Sequence, residues 1–368
     1  MLHLVCSVCG ETHPIDAPIW RCPCGGLLDV AHTPKLDPAE VAKRPATLWR
    51  YREAIALARN AMAITLGEGF TPLLPIELEG VRFLAKLEQI APTGSFKDRG
   101  ASVLITQATA LGIDLVVEDS SGNAGSAIAA YGARAGIASH IYVPSSTSQA
   151  KLAQIAAYGA TLHRIPGTRQ DTADAALEAA EAAYYASHVW NPFFLQGTKT
   201  WAYEVCEQLA WHAPDVVVLP IGNGTLLLGA ALGFAELQEM GLIGNAPRLI
   251  GVQAASCAPL VEAYRQGMDE PAPVTPAPTQ AKGIAIAAPR RGRQILEAVH
   301  RSRGTLLVVS EDEIAATQHA LGRQGLYVEA TAAVAPAGLL RLRQSGVLRR
   351  DATLVTALTG HGLKAATG

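Results

Sequence analysis

Short apolar runs rich in Val, Ile and Leu alternate with longer alanine-rich stretches along most of the chain, and glycine-punctuated turns join them. Leu115-Val116-Val117-Glu118 leads into Ser120-Ser121-Gly122-Asn123 and then a helical pattern over 124–135. Strand patterns recur at 141–143, 161–165, 215–220, 249–252, 305–309 and 353–358, interleaved with helical patterns at 148–158, 172–186, 225–240, 293–300, 311–323 and 331–344. Strands that are apolar throughout must be covered on both faces, so this order predicts an α/β fold with mostly parallel sheets covered by helices and ligands at the strand ends. At 368 residues the chain exceeds one hydrophobic core of about 250–300 residues, and two lobes are expected. The uncharged stretch 216–235 is long enough to span a bilayer, but Pro220-Ile221-Gly222-Asn223-Gly224 would break a helix in lipid. It reads as a strand, a turn and a helix. The Pro-rich segment 271–278 reads as an exposed loop.

The chain is 49% hydrophobic and 17% charged, which supports a packed core and excludes disorder as a global description. A formal net charge of -2 supplies no general attraction for nucleic acid or an anionic membrane, so neither partner is expected. Met1-Leu2-His3-Leu4-Val5-Cys6 lacks a basic region followed by a long apolar stretch, which makes a cytoplasmic location the expectation.

Four of the six cysteines, Cys6, Cys9, Cys22 and Cys24, fall within the first thirty residues, and Cys206 and Cys257 stand alone in apolar patterns. Two close thiol pairs can point four sulfurs at one centre, and Zn²⁺ favours such a tetrahedral cage. A pair of disulfides or reduced core thiols is the other reading, and a reducing compartment favours zinc. The head carries Glu11, Asp16 and Asp29 against one arginine, so a structural role is favoured over phosphate binding. Cys206 and Cys257 read as small buried hydrophobes.

Three turns carry chemistry. In Pro92-Thr93-Gly94-Ser95-Phe96-Lys97-Asp98-Arg99-Gly100 a lysine occupies a turn entering a helix, where a desolvated amine loses its proton more readily and can attack an aldehyde. In Ser120-Ser121-Gly122-Asn123-Ala124-Gly125 an asparagine amide can lie beside a bound ring. In Gly222-Asn223-Gly224-Thr225-Leu226 glycines permit close backbone approach, and the following helix N-terminus offers N–H groups to a phosphate. A generic nucleotide-binding loop explains the third turn equally well.

Taken in order, these turns resemble pyridoxal-phosphate enzymes of the tryptophan-synthase β-chain fold type, and most closely threonine synthases. The resemblance runs over nearly the whole chain, from the cysteine head ending Cys24-Gly25-Gly26-Leu27-Leu28-Asp29-Val30 through Gly67-Glu68-Gly69-Phe70-Thr71-Pro72-Leu73 and Gly197-Thr198-Lys199-Thr200. It continues through Gly325-Leu326-Tyr327-Val328-Glu329 to Thr359-Gly360-His361-Gly362-Leu363-Lys364. It implies a zinc-ribbon-like head at 1–30, a linker at 31–65, a large cofactor-binding lobe formed by 66–99 and 191–368, and a smaller α/β lobe at 100–190.

The resemblance also assigns roles. Lys97 becomes the amine that takes the cofactor's aldehyde, Phe96 walls the ring, and Asn123 bonds its 3-hydroxyl. Gly222, Asn223, Gly224, Thr225 and Leu226 form the phosphate cup, and Thr359 meets the pyridine nitrogen. For the substrate's phosphate it nominates Ser120, Lys151 and Asn191, with Arg169 as a substitute for a family arginine that has no clear counterpart. His361 is a loop-shaping residue rather than a base. The family reaction turns O-phospho-L-homoserine and water into L-threonine and phosphate, and a homodimer is expected. Ala91, Ala124, Gln196, Ala330-Thr331 and Ala365 depart from the family pattern. A paralogue using O-phosphoserine, threonine or a related amino acid in β-replacement or β-elimination is the second reading. A non-catalytic binding module is the third, and the intact Lys97 and Asn123 weigh against it.

Overall fold

The computed structural model describes residues 2–346 and 348–364, the side chains of residues 150 and 151 excepted. The chain opens with three short strands, β1 (His3–Cys6), β2 (Thr12–Pro14) and β3 (Leu28–Ala31), in an antiparallel sheet ordered β2-β1-β3. Gly10 and Gly25, at φ 74° and 84°, turn the backbone after the two cysteine pairs, in a region that other residues seldom enter. A short helix, α1 (Pro38–Ala42), follows in the connecting segment.

Two larger sheets hold the rest. The hairpin β4 (Leu73–Leu78) and β5 (Val81–Lys86) forms one edge of a six-stranded sheet whose other members come late in the chain. Between them lies a four-stranded, all-parallel sheet of β6 (Leu115–Glu118), β7 (Ala138–Pro144), β8 (Thr161–Ile165) and β9 (Tyr184–Tyr185), ordered β8-β7-β6-β9. The large sheet is completed by β10 (Val216–Pro220), β11 (Arg248–Ala254), β12 (Thr305–Val309) and β13 (Leu354–Ala357), ordered β12-β11-β10-β13-β5-β4. Only β4 runs antiparallel within it.

The covering helices are α2 (Lys97–Ala110), α3 (Asn123–Ala135), α4 (Gln149–Ala157), α5 (Arg169–Ala179), α6 (Pro192–Thr198) and α7 (Thr200–Gln208). They continue with α8 (Thr225–Glu239), α9 (Pro259–Arg265), α10 (Gly292–Arg301), α11 (Glu311–Gly322) and α12 (Ala330–Gln344). Period-two alternation sorts β10 between two cores. Val217 and Leu219 join Ala202, Leu227 and Val299 on one face, while Val216 and Val218 join Ala333 and Leu339 on the other. Full burial of each such side chain contributes about 1.5–3 kcal/mol, which is why this central strand is apolar throughout. The uncharged stretch is therefore a strand, a turn and a helix, and among the described residues no helix is long and apolar enough to cross a membrane.

One expected helix is corrected. The alanine pattern over 172–186 is not a single helix: α5 begins at Arg169 under a Thr168–Asp171 capping box and stops at Ala179. Tyr184 and Tyr185 then pair with Val116 and Val117 of β6. Both tyrosines are buried, and Trp20 of the head meets the Tyr185 ring edge-on at 5.0 Å. Tertiary burial of two aromatic residues thus outweighs helix propensity here.

The start of α2 is fixed by buried charges. Arg99 donates to Glu88 at 2.7 and 2.8 Å and to Glu204 at 2.6 and 2.7 Å, and Lys86 lies 2.9 Å from Glu204. The head is tied on by Arg291, which donates to the Val189 carbonyl at 2.7 Å and to Asp29 at 3.2 Å.

Candidate active site

Three loops meet at the carboxyl ends of parallel strands: the β6–α3 turn, the β10–α8 turn and the segment after β13. The loop before α2 joins them through backbone bonds. Phe96 N–H donates to the Thr359 carbonyl at 3.1 Å, and His361 N–H donates to the Gly94 carbonyl at 2.9 Å. Asp98 pins this loop from below, accepting from Thr93 N–H at 2.7 Å and from its hydroxyl at 2.5 Å. Burial pushes the Asp98 carboxyl up to about 7, against those two bonds.

Lys97, the first residue of α2, projects toward the start of α8, with Nζ 3.2 Å from Thr225 Oγ1 and 4.6 Å from the centre of the Phe96 ring. Burial draws its amine down to about 8, while Glu118 and Glu329 pull the other way. Lys199 is drawn down to about 8 by burial as well, but Glu236 at 2.8 Å and His32 at 2.9 Å occupy it. Reactivity toward an aldehyde needs a free, discharged amine, so Lys97 is the stronger nucleophile of the two.

The first bond of α8 runs from Leu228 N–H to the Gly224 carbonyl at 2.8 Å. The amides of Thr225, Leu226 and Leu227 precede it, have no partner inside the helix and form an anion-holding end. Gly224 has φ 72°, and an added Cβ would lie 2.3 Å from Ile295 Cδ1; one on Gly222 would lie 2.9 Å from Ile284 Cα. These glycines are thus demanded by backbone conformation and by packing from the protein side. Asn223, at the tip, remains half-buried.

Asn123 opens α3 and donates to Glu329 Oε1 at 2.9 Å, while Glu329 N–H donates to the Gly360 carbonyl at 3.0 Å. Thr359 is buried, and its hydroxyl has no hydrogen-bond partner among the described residues; the same holds for the Ser95 hydroxyl. Buried hydroxyls without partners are uncommon, and a ligand with a ring nitrogen or oxygen would satisfy them. A free amine, an amide, a helix-end anion cradle and an orphan hydroxyl around one cleft fit pyridoxal phosphate.

The residues nominated for a substrate phosphate do not converge. Ser120 Oγ accepts from Gly122 N–H at 3.2 Å on the asparagine turn, adjacent to the cleft. Asn191 is fully buried as the N-cap of α6, accepting from Phe193 N–H and donating to the Tyr185 carbonyl, each at 3.2 Å. Arg169 is held by Asp119 at 2.6 Å. The Lys151 side chain lies outside the described residues. His361 shapes its loop, its Nδ1 accepting from Leu363 N–H at 3.1 Å.

A second group went unassigned in the sequence. Phe194 of α6 lies 5.6 Å from Lys97 Nζ, its ring meets that of His188 at 5.9 Å, and His188 Nδ1 lies 2.8 Å from Glu118 Oε1. The one available signal was Glu118 itself, a charge closing the apolar run Leu115-Val116-Val117.

In the head, Cys6 and Cys24 bring their sulfurs to 3.5 Å and Cys9 and Cys22 to 3.7 Å, and all four lie within 4.8 Å of one another. Tetrahedral bonds of about 2.3 Å place sulfurs about 3.8 Å apart, so the set fits a zinc-sized cation. Cys206 and Cys257 are buried, as read from the sequence, and burial pushes the Cys206 thiol up to about 12.

Residues 64–360 match the family of pyridoxal-phosphate dependent enzymes, and the chain belongs to that family. Within it, the chain is 36% identical to the threonine synthase of Methanocaldococcus jannaschii over 372 residues, covering 98% of this chain and 92% of that protein. It is 35% identical to the threonine synthase of Methanosarcina acetivorans, over 99% of this chain and 92% of that one. The solved threonine deaminase isoform 2 of Solanum lycopersicum shares the fold, with a TM-score of 0.69 at 24% identity over 81% of this chain and 80% of that chain.

Proposed function

We propose that the chain is a pyridoxal-phosphate-dependent lyase that converts O-phospho-L-homoserine and water into L-threonine and phosphate. The observation that carries this reading is the meeting of Lys97, Thr225, Asn123 and Thr359 at one cleft, in a chain 36% identical to a threonine synthase over 98% of its length. Pyridoxal phosphate, when bound, supplies an aldehyde that captures the substrate's amine and a ring that takes up electron density from the neighbouring carbon. The protein supplies the rest. With its amine near 8, Lys97 is about one part in ten uncharged at pH 7, against about one in three thousand for an ordinary lysine. It can therefore take the α-proton from the substrate and carry protons to and from the β-carbon. The α8 amides hold the cofactor's phosphate, Phe96 walls the ring, Asn123 orients it, and the neutral Thr359 hydroxyl leaves the ring nitrogen uncharged where a carboxylate would keep it protonated. Ser120 is the proposed hydroxyl for the substrate's phosphate.

A second reading, a lyase acting by β-elimination or β-replacement on threonine or a related amino acid, is favoured by one contact: Asp119 occupies Arg169 at 2.6 Å. A guanidinium already paired is a weaker anchor for a dianion. Incubating the holoenzyme with O-phosphohomoserine, O-phosphoserine and threonine separates the two. Equimolar phosphate and threonine from the first supports the leading reading. Keto acid from threonine, with none of those products, supports the second.

The lobe division at 66–99 with 191–368 and at 100–190 belongs to the same proposal, as does a single structural Zn²⁺ on Cys6, Cys9, Cys22 and Cys24. The four converging sulfurs support the metal.

A further inference from the structure

A charged pair stands behind the cleft with no part in the chemistry above. Glu118 ends β6 and is fully buried, as is most of His188. Glu118 Oε1 and His188 Nδ1 share a 2.8 Å hydrogen bond, while Glu118 Oε2 is buried without a hydrogen-bond partner among the described residues. A fixed carboxylate for structure alone would be expected to have both oxygens satisfied, since each unpaired buried acceptor costs about 1–3 kcal/mol. The pair also has a physical route to the amine. The His188 ring packs edge-on against Phe194, and the same Phe194 ring lies 5.6 Å from Lys97 Nζ.

We propose that Glu118, held in place by His188, is a positioning residue that sets the charge on the Lys97 nitrogen. The inference rests on Lys97 being the cofactor-bearing amine. The nitrogen carries a titratable proton both as a free amine and when joined to the cofactor, and in a water-poor site its charge needs a nearby counter-charge. Glu118 supplies one when ionised and withdraws it when protonated, so the two groups titrate as a coupled pair. The single contact to His188 serves both states, because a neutral imidazole can donate from Nδ1 to a carboxylate or accept there from a carboxyl. Burial supports the arrangement, raising Glu118 well above the ordinary carboxylate range and holding His188 well below the ordinary imidazole range.

The other charges facing the pair are accounted for. Asp119, on the same turn, raises Glu118 further, and Arg169 of α5, bonded to Asp119, offsets it; Tyr185 of β9 lies within the same field. Glu329, at the start of α12, faces Lys97 from the other side and is bonded to Asn123. Glu118 is first among the acids acting on Lys97, ahead of Glu329.

The test is the pH titration of the holoenzyme's visible absorbance, which reports the proton on the Lys97 nitrogen without turnover. In Glu118→Gln, which keeps size and shape, the midpoint should fall by about one pH unit. His188→Leu should lower it in the same direction, because Glu118 is then favoured in its neutral form, and His188→Asn, which keeps a donor and an acceptor, should restore most of the shift. An unmoved midpoint in Glu118→Gln or in His188→Leu, with the band retained, overturns the proposal. Competitive acetylation of Lys97 across pH, in the full-length protein stripped of cofactor, reads the same amine directly. If the cofactor proves to sit on another lysine, the enzyme reading fails. The Glu118 coupling then stands or falls on whether Glu118→Gln lowers the acetylation midpoint.

Discussion

Thr359 holds a buried hydroxyl without a partner among the described residues, so its removal separates binding from stability. Thr359→Val keeps the shape and breaks no side-chain hydrogen bond; it should leave the melting temperature almost unchanged while raising the cofactor dissociation constant about tenfold, one ordinary hydrogen bond. Absorbance titration with thermal melts checks both halves, and a large loss of stability with unchanged affinity would assign the hydroxyl to the fold. Lys97, Asn123 and Thr359 were legible in the sequence because each sits in a glycine-marked turn whose neighbours repeat a family string. Glu118, His188 and Phe194 were not, since their pairing depends on a loop seventy positions further along the chain. Arg169 was expected to reach over the cleft; Asp119, two residues before the asparagine turn's Ser121, takes it first.

At the scale of elements, α2 is held by Arg99, Lys86, Glu88 and Glu204, all buried. Arg99 first and then Lys86 draw the Glu204 carboxyl down to about 2, overcoming the burial that would raise it. A carboxyl lowered from 4.5 contributes stability that is complete above about pH 4.5 and is lost as the pH falls toward 2. Urea midpoints should therefore hold steady above that window and drop through it. Glu204→Gln leaves two buried cations short of an acid and should cost about 3–5 kcal/mol at pH 7, read from urea melts. Strands announced themselves by apolar runs covered on both faces, and β10 with α8 emerged as read. The helix expected over 172–186 failed because alanine periodicity carries no information about Tyr184 and Tyr185 being needed at the sheet edge beside Trp20.

Across the whole molecule, the cysteine head is packed onto the small sheet through Trp20 and tied by Arg291 to the segment that carries His188, not to the cofactor cradle. Elemental analysis of protein prepared without chelators should find one zinc per chain. Chelation should lower the melting temperature before the visible cofactor band is lost, whereas simultaneous loss would place the metal in the chemistry. The alternation of strands and helices made the two-sheet architecture readable; which face of the small sheet the head covers was not, because it is decided by contacts among Trp20, Tyr185 and Trp190 that no local pattern announces. Everything in the account turns on which amine holds the cofactor, and two buried lysines, Lys97 and Lys199, are both drawn down to about 8. Borohydride reduction of the holoenzyme, digestion and mass mapping decides between them: the account predicts a pyridoxyl mass on the peptide carrying Lys97, and the same mass on Lys199 or on any other lysine would contradict it.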